Sequence, residues 1–131
     1  PYNADYNFRL GTTMESAYED MKALLEASPK LPTAFFADND IIAIGAMRAL
    51  KEKGYRIPQD VSVIGFDDIP TCELMDPPLS SIRVPKQAIG KLAVKRLVEL
   101  LQEDSGVRVK VEVRTELVER ASVTSPIEVH A

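Results

Sequence analysis

Two places in the chain set paired polar side chains after apolar runs: Asn39 and Asp40 follow "TAFFA" (33–37), and Asp67 and Asp68 follow "VSVIGF" (61–66). An ionised carboxylate accepts hydrogen bonds and donates none, whereas an amide does both. Asn39 with Asp67 therefore suits a neutral ligand rich in hydroxyls, such as a sugar. Asp and Asn are also favoured helix caps and turn formers, and Asp40 stands where its carboxylate could take the first backbone N–H groups of a helix. A third chemistry is open to the acids: Asp40, Asp67 and Asp68 could hold Mg²⁺ for phosphoryl transfer, with Lys86 near the phosphate. No nucleophile or general base stands at a spacing that supports it. Cys72 is the sole cysteine, and the sole histidine, His130, sits at the far end of the chain, badly placed to be its base. There is no phosphate-binding glycine loop, no dinucleotide fingerprint, no histidine pair for zinc and no serine elbow. Catalytic residues, metal ligands and cofactors are accordingly not assigned.

Such side chains work only if strands and helices bring them together. "TMESAYEDMKALLEA" (13–27) places Met14, Tyr18, Met21, Leu24 and Leu25 at helical spacing behind Thr13 and Ser16, which predicts an amphipathic helix. "TAFFA" reads as a buried strand. "DIIAIGAMRALKEKG" (40–54) reads as a helix stopped at Gly54, and "VSVIGF" as a second strand. Strand, helix, strand makes a βαβ unit with parallel strands, whose carboxyl ends open on one side where ligands sit. Both polar pairs then face one pocket. The 40–54 helix is apolar on almost every side, which implies cover on two sides, the second most simply from another subunit.

Residues 68–80 hold three prolines and read as a loop before a short extended stretch, "SSIRV". Pro85 suits the first position of a helix whose apolar stripe includes Ile89, Leu92, Leu97 and Leu101, ending near residue 106. "VRVKVEVRTELVER" (107–120) alternates valine with charge, the pattern of a sheet-edge strand with one wet face.

The chain has 131 residues, enough for one modest core, and a net charge of −4 that argues against a nucleic-acid surface. No apolar run is long enough to span a bilayer. The opening residues lack a secretory signal and begin without a strand or helix pattern, as expected of a piece of a longer protein.

The stretches "PTAFFADNDIIAIGAMRALKEKGYRIPQDVSVIGFDDIP", "DPPLSSIRVPKQAIGKLAVKRLVELL" and "TELVERAS" closely resemble, in order and spacing, the effector-binding core of the lactose-repressor (LacI/GalR) family of bacterial transcription regulators. The resemblance runs from about residue 13 to 122. It implies an α/β fold of the periplasmic-binding-protein (type I) kind, a mostly parallel sheet flanked by helices, present here in part and mainly as the C-terminal subdomain. Residues 13–79 and 107–125 would form that subdomain, and 80–104 would belong to the N-terminal one. It further implies a cytoplasmic, non-enzymatic sensor of a small-molecule effector, a carbohydrate by expectation, with Asn39, Asp67, Asp40, Asp68 and Val84 at the site. A homodimer would form through Ile44, Met47, Arg48, Leu74 and Met75, and operator DNA would be met through a head domain absent from this chain. Two departures bear on the ligand: Thr12 stands where many members carry a stacking aromatic, with Phe8 the nearest replacement, and Val84 stands where many carry glutamine. The rival with the same fold is an exported sugar-binding protein of a transport system.

Overall fold

A computed structural model describes residues 6–27, 30–102 and 106–125. Thr13 starts the first helix, α1 (Met14–Glu26): its Oγ1 accepts from Ser16 N at 3.1 Å, and Ser16 Oγ accepts from Thr13 N at 3.1 Å. This reciprocal capping box satisfies two donors that a helix start otherwise leaves unpaired. The expected periodicity holds, since Ala17, Tyr18, Met21 and Leu25 are buried along one face.

The first strand, β1 (Ala34–Phe36), leads into α2 (Asp40–Glu52), and α2 returns to β2 (Ser62–Asp67), parallel to β1 with Phe36 opposite Ile64. The βαβ unit is therefore present as expected. A four-residue helix, α3 (Thr71–Leu74), breaks the stretch read as loop. Then β3 (Ser80–Arg83) pairs in parallel with β2, placing Asp67 opposite Arg83 and Gly65 opposite Ser81. The helix α4 (Lys86–Gln102) follows, and β4 (Glu116–Val118) closes the sheet antiparallel to β3. The strand order is β1-β2-β3-β4. Ser80–Arg83, expected to go with the following helix into the other subdomain, is a strand of this sheet.

Four expectations need correction. First, the second cover of α2 comes from its own chain. Ile44 is 4% exposed and Met47 fully buried, because α1 lies against α2 at Gly45, where a Cβ would stand 2.5 Å from Met14 O and 2.9 Å from Tyr18 N. A glycine at the crossing lets two backbones approach closely, so α2 is enclosed without a partner. Of the five residues expected at a dimer interface, Met75 is half-buried against the core, while Arg48 and Leu74 are exposed, Leu74 at 84%. Second, β1 is an edge strand and not a buried one: Phe35 packs against the core, but Phe36 is 62% exposed. Third, residues 107–115 form no strand. β3 turns at Val84 and Pro85 into α4, so nothing continues alongside for them to pair with, and Val107, Val109 and Val111 remain exposed. Fourth, α4 begins one residue after Pro85, whose carbonyl accepts from Ile89 N at 3.0 Å, and none of its residues is buried. His130 lies outside the described residues.

The core fills the space between α1, α2 and the sheet, with Met21, Met47, Leu50, Val61, Val63 and Leu79 among its fully enclosed side chains.

Candidate functional site

Asn39 and Asp40 divide the labour in the reverse of the order expected. Asn39 is the residue that caps α2: its Oδ1 accepts from Ile42 N at 2.9 Å. That leaves the Nδ2 amide, without a partner among the described residues, as the group it can offer to a ligand. Asp40 points inward and is fully buried. Its Oδ2 accepts from Ile69 N at 2.8 Å and its Oδ1 from the Ser81 hydroxyl at 2.6 Å. The carboxylate lies directly over Gly65, where a Cβ would stand 2.2 Å from Oδ1. Both oxygens serve the fold, joining the start of α2 to β3 and to the segment after β2, so Asp40 is neither the helix cap nor an open ligand group.

Asp68 is also enclosed, with a side chain 6% exposed between two guanidinium groups: Arg83 Nε donates to Oδ2 at 2.7 Å, and Arg120 Nη1 stands 2.8 Å from Oδ1 as an ion pair, its hydrogen bond going to Leu79 O, so that Oδ1 is buried without a hydrogen bond. Burial pushes its carboxyl upward, but the guanidinium groups of Arg120 and Arg83 outweigh that and hold it below the usual carboxylate range. Arg120 is itself fixed by Leu79 O at 2.8 Å and Glu73 at 3.2 Å. Two of the three acids that could have shared a metal are thus engaged by protein donors, and among the described residues no group of three or more His, Cys, Asp or Glu side chains could hold a metal ion. Cys72 is fully buried. Burial, then the nearby Asp40 carboxylate, push its thiol up to about 12, which keeps it protonated and non-nucleophilic.

Asp67 differs from its neighbours. It ends β2 with φ 108°, and Asp68 follows at φ 50°, both in the left-handed region that side chains other than glycine seldom occupy. Its carboxylate is 39% exposed and meets Lys86 Nζ at 3.5 Å, while its carbonyl accepts from the same ammonium at 3.0 Å. It borders an open crevice of about 570 Å³ between the end of β2 and the start of α4, lined also by Asp68, Arg83, Val84, Lys86 and Lys91. Val84 is half-buried there.

Asn39 stands at the same carboxyl end of the sheet, since β1 and β2 are parallel neighbours, but it does not line this crevice. A separate concavity of about 490 Å³ lies beside β1, lined by Phe8, Phe35, Phe36, Asp38 and Ile42 among others. Phe8 belongs to it, its ring 5.6 Å from that of Phe35, and so takes no part in the crevice at Asp67.

Ser81 and Arg120 escaped the sequence reading. Arg120 lies in the "TELVER" stretch, where a cation two residues past the last valine of an alternating run looks like one more solvated charge. Ser81 gave no signal beyond a small polar pair, Ser80 and Ser81, at the head of an apolar strand.

Residues 2–123 match the family model described as a periplasmic binding protein-like domain. The HTH-type transcriptional repressor PurR of Pasteurella multocida is 44% identical over 111 residues, which is 85% of this chain and 33% of that protein. Among solved structures, the transcriptional regulator CelR in complex with cellobiose superposes with a TM-score of 0.83 at 30% identity, covering 93% of this chain and 37% of that one. The lac repressor dimer bound to operator and the anti-inducer ONPF superposes at 0.79 and 32% identity, covering 86% and 39%. The chain spans about a third of the length of the curated relatives it matches. With the βαβ sheet, the strand-end polar pairs and the matched 2–123 span in agreement, the chain belongs to the periplasmic binding protein-like domain family, among relatives that are LacI-family regulators.

Proposed function

We propose that this chain is the larger part of the C-terminal subdomain of an effector-sensing module in a LacI-type transcriptional regulator, working in the cytoplasm and carrying no catalytic function of its own. The observation that carries the reading is Asp67: alone among the four strand-end polar residues it offers an exposed carboxylate to an open crevice, while the carboxylates of Asp40 and Asp68 are enclosed and held by other groups of the chain. Asn39 Nδ2 is a donor at the same sheet end, and Val84 supplies an apolar wall. Asn39 lies outside the crevice lining, so the acceptor and donor that meet a ligand there are the Asp67 carboxylate and the Lys86 ammonium beside it, which together fit hydroxyl groups and make a carbohydrate the effector class. The portion of the relatives' length not spanned here would close the crevice from the far side and pack on the exposed face of α4. Effector binding would then shift the balance between open and closed arrangements by its differential affinity for them.

A homodimer would use the exposed Leu74 and Arg48 rather than Ile44 or Met47, and DNA would be met by a head domain outside this chain. The repressor relatives favour this over an exported transport protein. An Mg²⁺-dependent enzyme is disfavoured by the engaged oxygens of Asp40 and Asp68.

Calorimetric titration of the full-length protein with ribose, lactose and cellobiose, before and after Asp67→Ala, tests the reading. At least one sugar binds, and the variant loses about tenfold or more in affinity, the worth of one charge-assisted hydrogen bond. Unchanged sugar affinity in the variant, or no binding of any of the three, overturns it.

A further inference from the structure

Two consecutive aspartates with positive φ, 108° at Asp67 and 50° at Asp68, form a turn that ordinary backbone energetics disfavours. Such a conformation persists only where the surroundings over-determine it. Here the surroundings are specific. Asp68 N donates to Ser81 Oγ at 3.1 Å, Ser81 Oγ donates its single hydrogen to Asp40 Oδ1 at 2.6 Å, and Ile69 N donates to Asp40 Oδ2 at 2.8 Å. The Asp68 carboxylate is gripped by Arg83 and Arg120. Around Asp67, backbone and following side chains are anchored, and its own carboxylate is left at the crevice with Lys86 beside it.

Ser81 sits at the centre of this chain of donors. It is fully buried, lies opposite Gly65 on the neighbouring strand, and hydrogen-bonds to both the turn and Asp40. We propose that Ser81, held by Asp40, is a positioning residue that locks the Asp67–Asp68 turn in its left-handed form and thereby aims the Asp67 carboxylate into the crevice. The proposal rests on the reading of Asp67 as an effector ligand for its functional meaning, but the locking of the turn is a separate physical claim. Its logic is that the hydroxyl is both acceptor and donor: without it Asp68 N loses its partner and Asp40 Oδ1 loses its donor in the same stroke. The turn is then free to relax to ordinary φ, which rotates Asp67 away from the crevice mouth.

Ser122 provides the control. It is equally buried and also makes two hydrogen bonds, accepting from Ser80 N at 2.8 Å and donating to Val63 O at 2.6 Å, yet it does not touch the turn. A general loss of a buried serine hydroxyl is thus separable from the loss of this one.

The experiment has two arms on the variants Ser81→Ala, Ser81→Thr and Ser122→Ala. In the 131-residue chain, NMR reads the strong amide-to-α-proton cross-peak within Asp67 and within Asp68 that a positive φ produces. It weakens in Ser81→Ala, is kept in Ser122→Ala and returns in Ser81→Thr; its full retention in Ser81→Ala overturns the proposal. In the full-length protein, titration with ribose, lactose and cellobiose gives affinity at least about tenfold weaker for Ser81→Ala and within about twofold for Ser122→Ala. Equal losses in the two alanine variants also overturn it, because the effect is then one of general stability. If none of the three sugars binds, the effector reading falls while the NMR arm still decides the positioning claim. If Ser81→Ala does not fold, Ser81→Thr and Ser122→Ala decide: a threonine chain that folds without the two cross-peaks sinks the proposal.

Discussion

Asp68 has almost no exposed surface and still carries charge, since two arginines from different parts of the chain close on it at 2.7 and 2.8 Å. Its folded-state pKa is lowered, so its contribution to stability is present above the unfolded value near 3.9 and is lost as pH falls through the folded value below that. Arg120 is 11% exposed and Arg83 48%, so solvent screening trims the Arg83 half of the pair more than the Arg120 half. Asp68→Asn is expected to destabilise the chain by about 2 kcal/mol near pH 7, chiefly by leaving Arg120 without its counter-charge. The gap between wild type and variant narrows as pH falls below the unfolded carboxylate value and the wild-type carboxyl takes up its proton. Urea unfolding across that range measures the gap, and a difference that stays constant from neutral pH to acid would refute the assignment. At the same scale, the contrast between Asp67 and its two acidic neighbours is a matter of who reaches each carboxylate first: Ser81 and Ile69 reach Asp40, the arginines reach Asp68, and the exposed Lys86 stands beside Asp67.

The helices α2 and α4 differ in what surrounds them, and two glycines tell them apart. In α2, Gly45 meets the backbone of α1, so a methyl group there would stand 2.5 Å from Met14 O and 2.9 Å from the Ala17 Cβ. Glycine to alanine inside a helix ordinarily stabilises by about 0.8 to 1 kcal/mol. For Gly45→Ala the overlap with backbone wins, and we expect a loss of about 1 to 3 kcal/mol. In α4, Gly90 has nothing within 4 Å of the same added carbon, so Gly90→Ala is expected to gain helix stability by roughly 0.5 to 1 kcal/mol. Chemical unfolding reports Gly45→Ala, and circular dichroism of the helical signal reports Gly90→Ala; a gain in stability for Gly45→Ala would show that α1 and α2 do not cross at Gly45 as described. Tyr18 adds specificity to this crossing, its hydroxyl donating to Glu52 at 2.6 Å while the Arg48 guanidinium lies over its ring at 4.2 Å.

Across the molecule, stability is unevenly spread. Everything fully buried lies in α1, α2, the sheet and the segments that join them, including Ser122 of the C-terminal stretch, whereas α4 buries none of its 17 residues and exposes Leu92, Leu97 and Leu101 at 41%, 58% and 78%. A helix of this length without a packed face is marginal in water. Amide hydrogen exchange on the 131-residue chain should therefore show α4 exchanging fast, at rates set by local helix opening, while α2 and β2 exchange through global unfolding. Protection in α4 equal to that in α2 would mean that its apolar stripe has found cover, in a second copy or by repacking. Either result bears on the proposed arrangement, in which this stripe belongs against the part of the relatives' length that the chain does not span.

Much of the architecture was readable in residue order. Helix limits at 13–27 and 40–54 came from caps and three- and four-residue spacing, the βαβ unit from two apolar runs with a helix between, and the polar pairs at the strand ends from their abrupt change of character. These signals act over a few residues, so a linear reading captures them. What tertiary structure alone decided is who meets whom. Asn39 rather than Asp40 caps α2 because Asp40 finds Ser81, 41 residues away, and leaves the helix end to its neighbour. The apolar side of α2 that faces away from the sheet is closed by α1 because Gly45 allows it, and the valine alternation of 107–115 fails to make a strand because β3 turns aside before it can be matched. A hydrogen bond or a packed face depends on the partner's position in space, and for a partner dozens of residues distant no local pattern carries that information.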